Sequence, residues 1–433
     1  MVHPGKIPQV FRVSPFRLVR SILCLAAAIV LVAGVSPARA QESVSDPKER
    51  RIEDLEKAVR QLSGRVEELS ASRSADNVYR PSRFTFGGYG EIHANLGRGN
   101  APHQIDIHRL VAYVGYEFAD WIRFHSETEI EHAFVSRDSE DGEISIEQAY
   151  FDFLLSDRLN VRAGRFLTPL GLINRKHEPP TFNGVERPLF DRIVIPSTWF
   201  SDGAGIFGSL GPSLKYEAYV AGGLDGSKID ATDGIREARI EERPGLHQPA
   251  VTGRIDWFPF ARRAAAFGQT LRVGAGGYYG GLNNGNGGNN PGVGGRIRIL
   301  SADFEYGVGR FDARGAVAHE RVGGAAQIGN GAASEIFGWN LEGAVHVMPG
   351  SWRTGKLSRA DAVVFIRYDD VDTQYGMPPG VAKDPAGDRQ EWTTGLDFYF
   401  THNLVAKADY QVRRDKSAVK PDDLFNLGLG WQF

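Results

Sequence analysis

The last nine residues constrain the fold more than any other part of the chain. Phe425, Leu427, Leu429, Trp431 and Phe433 alternate with Asn426, Gly428, Gly430 and Gln432, and the sequence stops on the phenylalanine. A period of two sends all five apolar side chains to one face of a strand, a pattern that a helix would scatter around its axis. The same alternation recurs upstream, in segments rich in Tyr, Phe, Trp, Val and Ile that Gly, Asn, Asp and Pro clusters separate. It predicts strands near 84–96, 104–119, 121–134, 143–155, 159–167, 203–210, 214–222, 249–258, 270–280, 297–307, 310–320, 334–347, 361–370, 389–400, 403–413 and 423–433. Sixteen is even, so an antiparallel sheet can close on itself with both chain ends on one side.

The connections carry a second signal. Ala119-Asp120, Ser156-Asp157-Arg158, Gly211-Pro212-Ser213 and Thr401-His402-Asn403 are tight turns, and long segments at 168–202, 223–248 and 281–296 fall between them. Short turns at one end and long loops at the other characterise a transmembrane barrel. The fold class is therefore all-β, a 16-stranded antiparallel transmembrane β-barrel over residues 84–433. Strand faces agree. Leu110, Ala112, Val114, Tyr116 and Phe118 share one face of 104–119, with Arg109, Tyr113 and Glu117 on the other. Ile122, Phe124 and Ile130 oppose Arg123, His125, Glu127, Glu129 and Glu131 in the next strand. A β-sandwich would bury its apolar face on a second sheet, but the charged face returns on strand after strand. Trp121, Trp257, Phe258, Phe398, Tyr399 and Phe400 sit near strand ends, as an interfacial girdle would. The parity of 143–155 changes near Glu147, which predicts a bulge there.

The first 83 residues are different. Lys6, Arg12, Arg17 and Arg20 precede an apolar run from Ile22 to Val35, and Ala38-Arg39-Ala40 follows. That order reads as a secretory signal peptide, residues 1–40, cut before Gln41. The only cysteine, Cys24, lies inside it, so no disulfide, thiolate metal site or cysteine nucleophile is expected in the secreted chain. The forty residues carry five cations and no anion. Their removal leaves 45 basic residues against 53 acidic ones, a formal charge of −8. A surface of that sign excludes nucleic acid as a partner. Residues 41–83 hold Ile52, Leu55, Val59, Leu62, Val66 and Leu69 at heptad a and d spacing, a short periplasmic coiled-coil helix followed by a polar linker.

The segment from 164 to 208 is the most distinctive. More than thirty residues without a clear period, rich in proline and in aromatics such as Phe182, Phe190, Trp199 and Phe200, separate two strands. A loop that long in a compact fold is usually functional. The run Val161-Arg162-Ala163-Gly164-Arg165-Phe166, then Pro169-Leu170-Gly171, then Glu186-Arg187-Pro188, resembles the phosphate-selective porin O/P family, and the N-terminal coiled coil is similar to that of dicarboxylate-type porins. The resemblance implies a homotrimeric, cofactor-free passive channel for small hydrophilic solutes in the Gram-negative outer membrane. Its third loop would fold into the lumen, and its aromatic carboxyl end, Trp431 and Phe433, would be read by the barrel assembly machinery. Phosphate-selective members rely on ladders of arginine and lysine. Only eight lysines lie between Phe84 and Phe433 here, which widens the expected solutes to small anions, phosphate or carboxylates.

Candidate pore-lining residues follow. Arg175, Lys176, Arg187 and Arg192 (with His177) form a basic set in the loop, and Arg109, Arg123, Arg162 and Arg165 are candidates for the wall. Glu127, Glu129 and Glu131 are the lumen carboxylates, which either compete with these arginines for an ion or pair with them to hold the loop. His125, Glu127, Glu129, Glu131 and His132 extend over about 20 Å of strand, too far for one ion, so no metal is expected there. Asp138, Glu140, Asp141 and Glu143, and Asp230 with Asp233, lack EF-hand spacing. No GxSxG supports a barrel enzyme. A tether gripping the cell wall is the other alternative.

Overall fold

The computed structural model describes residues 83–97, 103–132, 142–240, 245–261 and 269–433. The expected signal peptide, its cleavage point and the heptad seam lie outside the described residues. All sixteen strands form. They are β1 (Phe84–Gly97), β2 (His103–Ala119), β3 (Ile122–Glu131), β4 (Glu143–Phe153), β5 (Asn160–Leu167), β6 (Phe200–Ser209), β7 (Leu214–Ala221) and β8 (Ala250–Trp257). The second half holds β9 (Gln269–Gly281), β10 (Arg296–Val308), β11 (Phe311–Val322), β12 (Glu335–His346), β13 (Asp361–Gly376), β14 (Asp388–Thr401), β15 (Leu404–Asp415) and β16 (Leu424–Gln432). Each pairs antiparallel with its neighbour, and β1 pairs with β16 to close the barrel. At that seam Gly90 faces Trp431, and a Cβ on Gly90 would lie 2.5 Å from the indole. Glycine is what lets the closing aromatic lie flat on the first strand.

The barrel is apolar outside and charged inside. Ile105 is 76% exposed on the outer surface and Leu300 61%, while the inward Arg254 and Asp369 are buried. That is the inverse of a water-soluble barrel. Trp121, Trp257, Phe311 and Phe400 stand exposed at the short-turn end, and Tyr399 instead turns inward, its hydroxyl donating to the Pro180 carbonyl at 3.3 Å. The bulge expected at Glu147 is present: Glu127 pairs with Gln148 and the next residue, Thr128, with Ile146, so Glu147 is the extra residue. A second slip, between Glu91 and Ile92 of β1, leaves His108 of β2 unpaired.

Strand β13 runs six residues beyond the expectation, to Gly376. The polar run Asp372-Thr373-Gln374 reads as loop, but neighbouring loops satisfy it. Thr373 Oγ1 donates to the Ala231 carbonyl at 2.6 Å and Gln374 Nε2 to that of Gly331 at 2.6 Å.

The long loop between β5 and β6, residues 168–199, enters the barrel. It carries a one-turn helix, α1 (Leu189–Ile193), whose apolar side packs with Trp199, Ile195, Leu224, Ile229, Ile235, Tyr278, Ile297 and Ile299 into a core inside the lumen. Burying each such side chain contributes roughly 1.5–3 kcal/mol. One side of the lumen, along β9 to β13, is thereby sealed with apolar packing.

Candidate functional site

The inward loop is bound to the wall along its length. Arg175 pairs with Glu217 and Asp256, both at 2.9 Å, and Lys176 with Glu305 at 3.3 Å. Asn183 Nδ2 donates to Glu342 at 2.7 Å, the Gly184 amide to Asp397 at 3.2 Å, and the Val185 amide to Asp409 at 2.6 Å. Lys407 Nζ donates to the carbonyls of Phe182 and Gly184, 2.8 Å each, and lies 3.9 Å from the Phe182 ring centre. The Phe190 amide donates to Asp369 at 3.0 Å, and Arg192 pairs with Glu391 at 3.1 Å. The glycines of β16 make the bed for this crossing. A Cβ on Gly430 would meet the Pro179 side chain at 2.5 Å, and one on Gly428 would meet Val185 at 3.1 Å. The polar half of the terminal alternation therefore leaves room for the loop.

What the loop leaves open is off centre. A cavity of ≈ 320 Å³ lies between the loop and the inner faces of β1 to β4. Glu91, Glu129, Glu131 and Glu147 line its wall, and Arg187, Arg192, Arg236 and Arg239 line the loop side. A larger cavity of ≈ 710 Å³ opens at the short-turn end, around Arg175, Lys215, Glu305 and His346, and the two linings share no residue. The loop divides the lumen between them.

The sequence candidates fall into four groups. Arg109 is buried on the inner wall and spends its guanidinium on Glu91 (2.7 Å), Glu129 (3.0 Å) and Glu131 (3.4 Å). Arg162 is paired with Asp152 at 2.7 Å and stacked on Tyr150, and Arg123, half exposed, pairs with Glu117 at the short-turn end. Arg165 is the correction. A period of two puts residues 162 and 165 on opposite faces, and β5 pairs in unbroken register. Arg165 shares the outward face with Ala163 and bonds Asp202 at 2.6 Å, so it does not line the lumen. Arg175, Lys176 and Arg192 are consumed by the ion pairs above. Arg187 differs. It is 7% exposed, its Nη1 donates to Ser197 Oγ at 2.9 Å, and its Nε and Nη2 have no hydrogen-bond partner among the described residues.

Next to it, Glu186 accepts from Asn95 at 2.9 Å and lies 3.3 Å from His93. Burial opposes its ionisation, but the His93 hydrogen bond and charge outweigh burial and hold it well below the usual carboxylate range. Arg236, Arg239, Glu91 and Glu147 escaped sequence reasoning. Only the bulge turns Glu147 inward, and nothing in the 223–248 loop marks its arginines as neighbours of Arg187. His125, Glu129, Glu131 and His132 stay spread along β3 and gather no common point.

No family model matches the chain. It is 32% identical over 374 residues to an uncharacterized protein of Aquifex aeolicus (strain VF5), across 83% of this chain and 82% of that one. Among solved structures it is similar to Salmonella typhi OmpF in complex with daunomycin, with a TM-score of 0.53 at 11% identity over 82% of this chain and 99% of that one. An anion-selective porin from Comamonas acidovorans superposes with a TM-score of 0.49 at 9% identity, over 81% of this chain and 99% of that one. At 11% identity the likeness to OmpF shows the fold alone.

Proposed function

The chain belongs to one family with the Aquifex aeolicus protein, and we propose that it is an outer-membrane porin, a passive channel for small hydrophilic solutes that favours anions. The apolar exposed surface, the charged interior and the inward loop support a water-filled path through a bilayer. The observation that carries the anion preference is Arg187. Arg175, Lys176 and Arg192 each pair with a carboxylate, while Arg187 lines the ≈ 320 Å³ cavity and its Nε and Nη2 have no hydrogen-bond partner among the described residues. A guanidinium suits phosphate and carboxylate groups through its fork of donors. Trimer formation through the N-terminal heptads and assembly through the terminal aromatic belong to the same reading.

The test is the reversal potential of the purified protein in a planar bilayer under a salt gradient. At about 4 Å and an effective dielectric of about 20, one charge acts on another with about 4 kcal/mol, so even partial shielding leaves a measurable bias. Arg187→Gln lowers the anion-to-cation permeability ratio severalfold at 0.1 M salt, and the difference shrinks at 1 M, where screening shortens to about 3 Å. An unchanged ratio at low salt refutes the role of Arg187. Absence of single-channel conductance refutes the channel and leaves the tether.

A further inference from the structure

We propose that Glu127, Glu147 and His177 form a divalent-metal site, two carboxylates and one imidazole, that pins the inward loop to the barrel wall and takes Zn²⁺. The three residues come from three places. Glu127 is on β3, Glu147 is the bulged residue of β4, and His177 is in the loop. One ligand atom from each lies within 4.8 Å of the other two, and all three residues are buried at 1%, 1% and 3% exposure.

The orientation of each donor is that of a ligand. His177 Nδ1 lies 3.1 Å from the Asn174 carbonyl, its acceptor, so the N–H sits there and the Nε2 lone pair faces the carboxylates. Nε2 lies 3.4 Å from Glu127 Oε1 and 3.8 Å from Glu147 Oε2. A tetrahedral ion with bonds of about 2.0–2.2 Å separates its ligands by about 3.3–3.6 Å. Gln148 donates to the other oxygen of Glu127, which frees Oε1 for the ion. Glu147 Oε2, fully buried, has no hydrogen-bond partner among the described residues, an omission that is costly unless something charged meets it. A cation supplies that partner and neutralises two buried carboxylates together.

The bulge is the device that builds the site, because it directs both Glu147 and Gln148 inward where a regular strand would send one to lipid. Glu147 also lines the ≈ 320 Å³ cavity, which provides the route of entry. Tyr89 adjoins, its ring 5.7 Å from that of His177 and its buried hydroxyl without a partner among the described residues, so a water in the fourth position has a hydrogen-bond partner at hand. Mixed carboxylate and imidazole donors suit Zn²⁺ better than the larger, oxygen-seeking Ca²⁺.

The experiment uses the full-length protein in detergent, stripped with EDTA. Zinc content after gel filtration and calorimetric titration with ZnCl₂ are expected to give one ion per chain. Cobalt(II) as a substitute is expected to show the strong visible bands of four-coordinate geometry. Glu147→Gln and His177→Asn, checked for heat-modifiable mobility as folded barrels, weaken binding at least 100-fold. A separate variant at the loop end, Asp106→Asn with His132→Asn, tests the other His and carboxylate cluster and leaves the tight site intact. Wild type that binds neither Zn²⁺ nor Co²⁺ at 0.1 mM overturns the proposal. Full-strength binding in folded Glu147→Gln overturns it as well. Channel conductance is measured separately, so failure here does not touch the porin reading.

Discussion

Lys407 offers the sharpest test of how the constriction is held. The residue is 5% exposed, and its ammonium donates to two loop carbonyls, Phe182 and Gly184, at 2.8 Å each. A hydrogen bond from a charged group contributes about 1.5–3 kcal/mol, so the two together tie the 182–185 segment by about 3–6 kcal/mol. The contact with the Phe182 ring adds about 0.5–2 kcal/mol. Lys407→Met keeps an unbranched apolar stem and removes the ammonium. The barrel ladder does not depend on this group, and the variant is expected to retain heat-modifiable mobility. The loop is what loosens. At about 1.4 kcal/mol per decade, native-state exchange of the Gly184 and Val185 amides accelerates by about two to four orders of magnitude. These amides exchange through local opening away from Asp397 and Asp409. The Phe190 amide, bonded to Asp369 at 3.0 Å on the far side of the loop, serves as the internal control and changes much less. Exchange mass spectrometry on the detergent-solubilised protein reads both. If Gly184 and Val185 exchange within a factor of ten of wild type, the loop is held by its apolar packing and the ammonium is dispensable.

Asp191 of α1 supplies a pH dependence. Burial and the neighbouring Asp369 push its pKa up to about 8, so the fold favours the protonated form. That stabilisation is complete below the unfolded value of about 3.9 and is lost as pH rises through about 8. The thermal midpoint is expected to drop between pH 5 and 8 in wild type and less in Asp191→Asn, and equal drops would contradict this. Phe433→Ser should lower the amount of barrel in the outer membrane more than its stability once formed. The Phe433 ring is 71% exposed, and its backbone N–H and carbonyl still bond Gly88 at 2.8 and 3.0 Å. Normal yields of folded variant would count against an assembly signal. Replacing Leu55, Leu62 and Leu69 with Ser removes the d layer of the N-terminal heptads, and an unchanged oligomer size in detergent would assign the helix another role.

How much of this was legible in the chain follows from the range of each interaction. A strand's two faces are a property of residues two apart, so alternation by itself determined the strands, their inward and outward sides and the bulge at Glu147. The same rule, applied strictly, would have separated Arg162 from Arg165, three residues apart and therefore on opposite faces. Closure was to be expected from an even count, but Gly90 opposite Trp431 joins the two ends of the barrel and is a fact of the folded register. The lumen is another matter. That Arg175 meets Asp256, that Lys407 meets Phe182, and that Glu127 meets His177 depends on contacts between residues 81, 225 and 50 positions apart. No periodicity encodes a loop's path across a barrel. The charges of 168–199 were visible, but whether each faced solute or a carboxylate was decided by where the loop lay down. It lay down where Gly428 and Gly430 left space and where apolar side chains could leave water. The sequence determined a charged interior and a loop long enough to enter it. Only the folded loop decided that Arg175, Lys176 and Arg192 are held by carboxylates while Arg187 bonds the Ser197 hydroxyl.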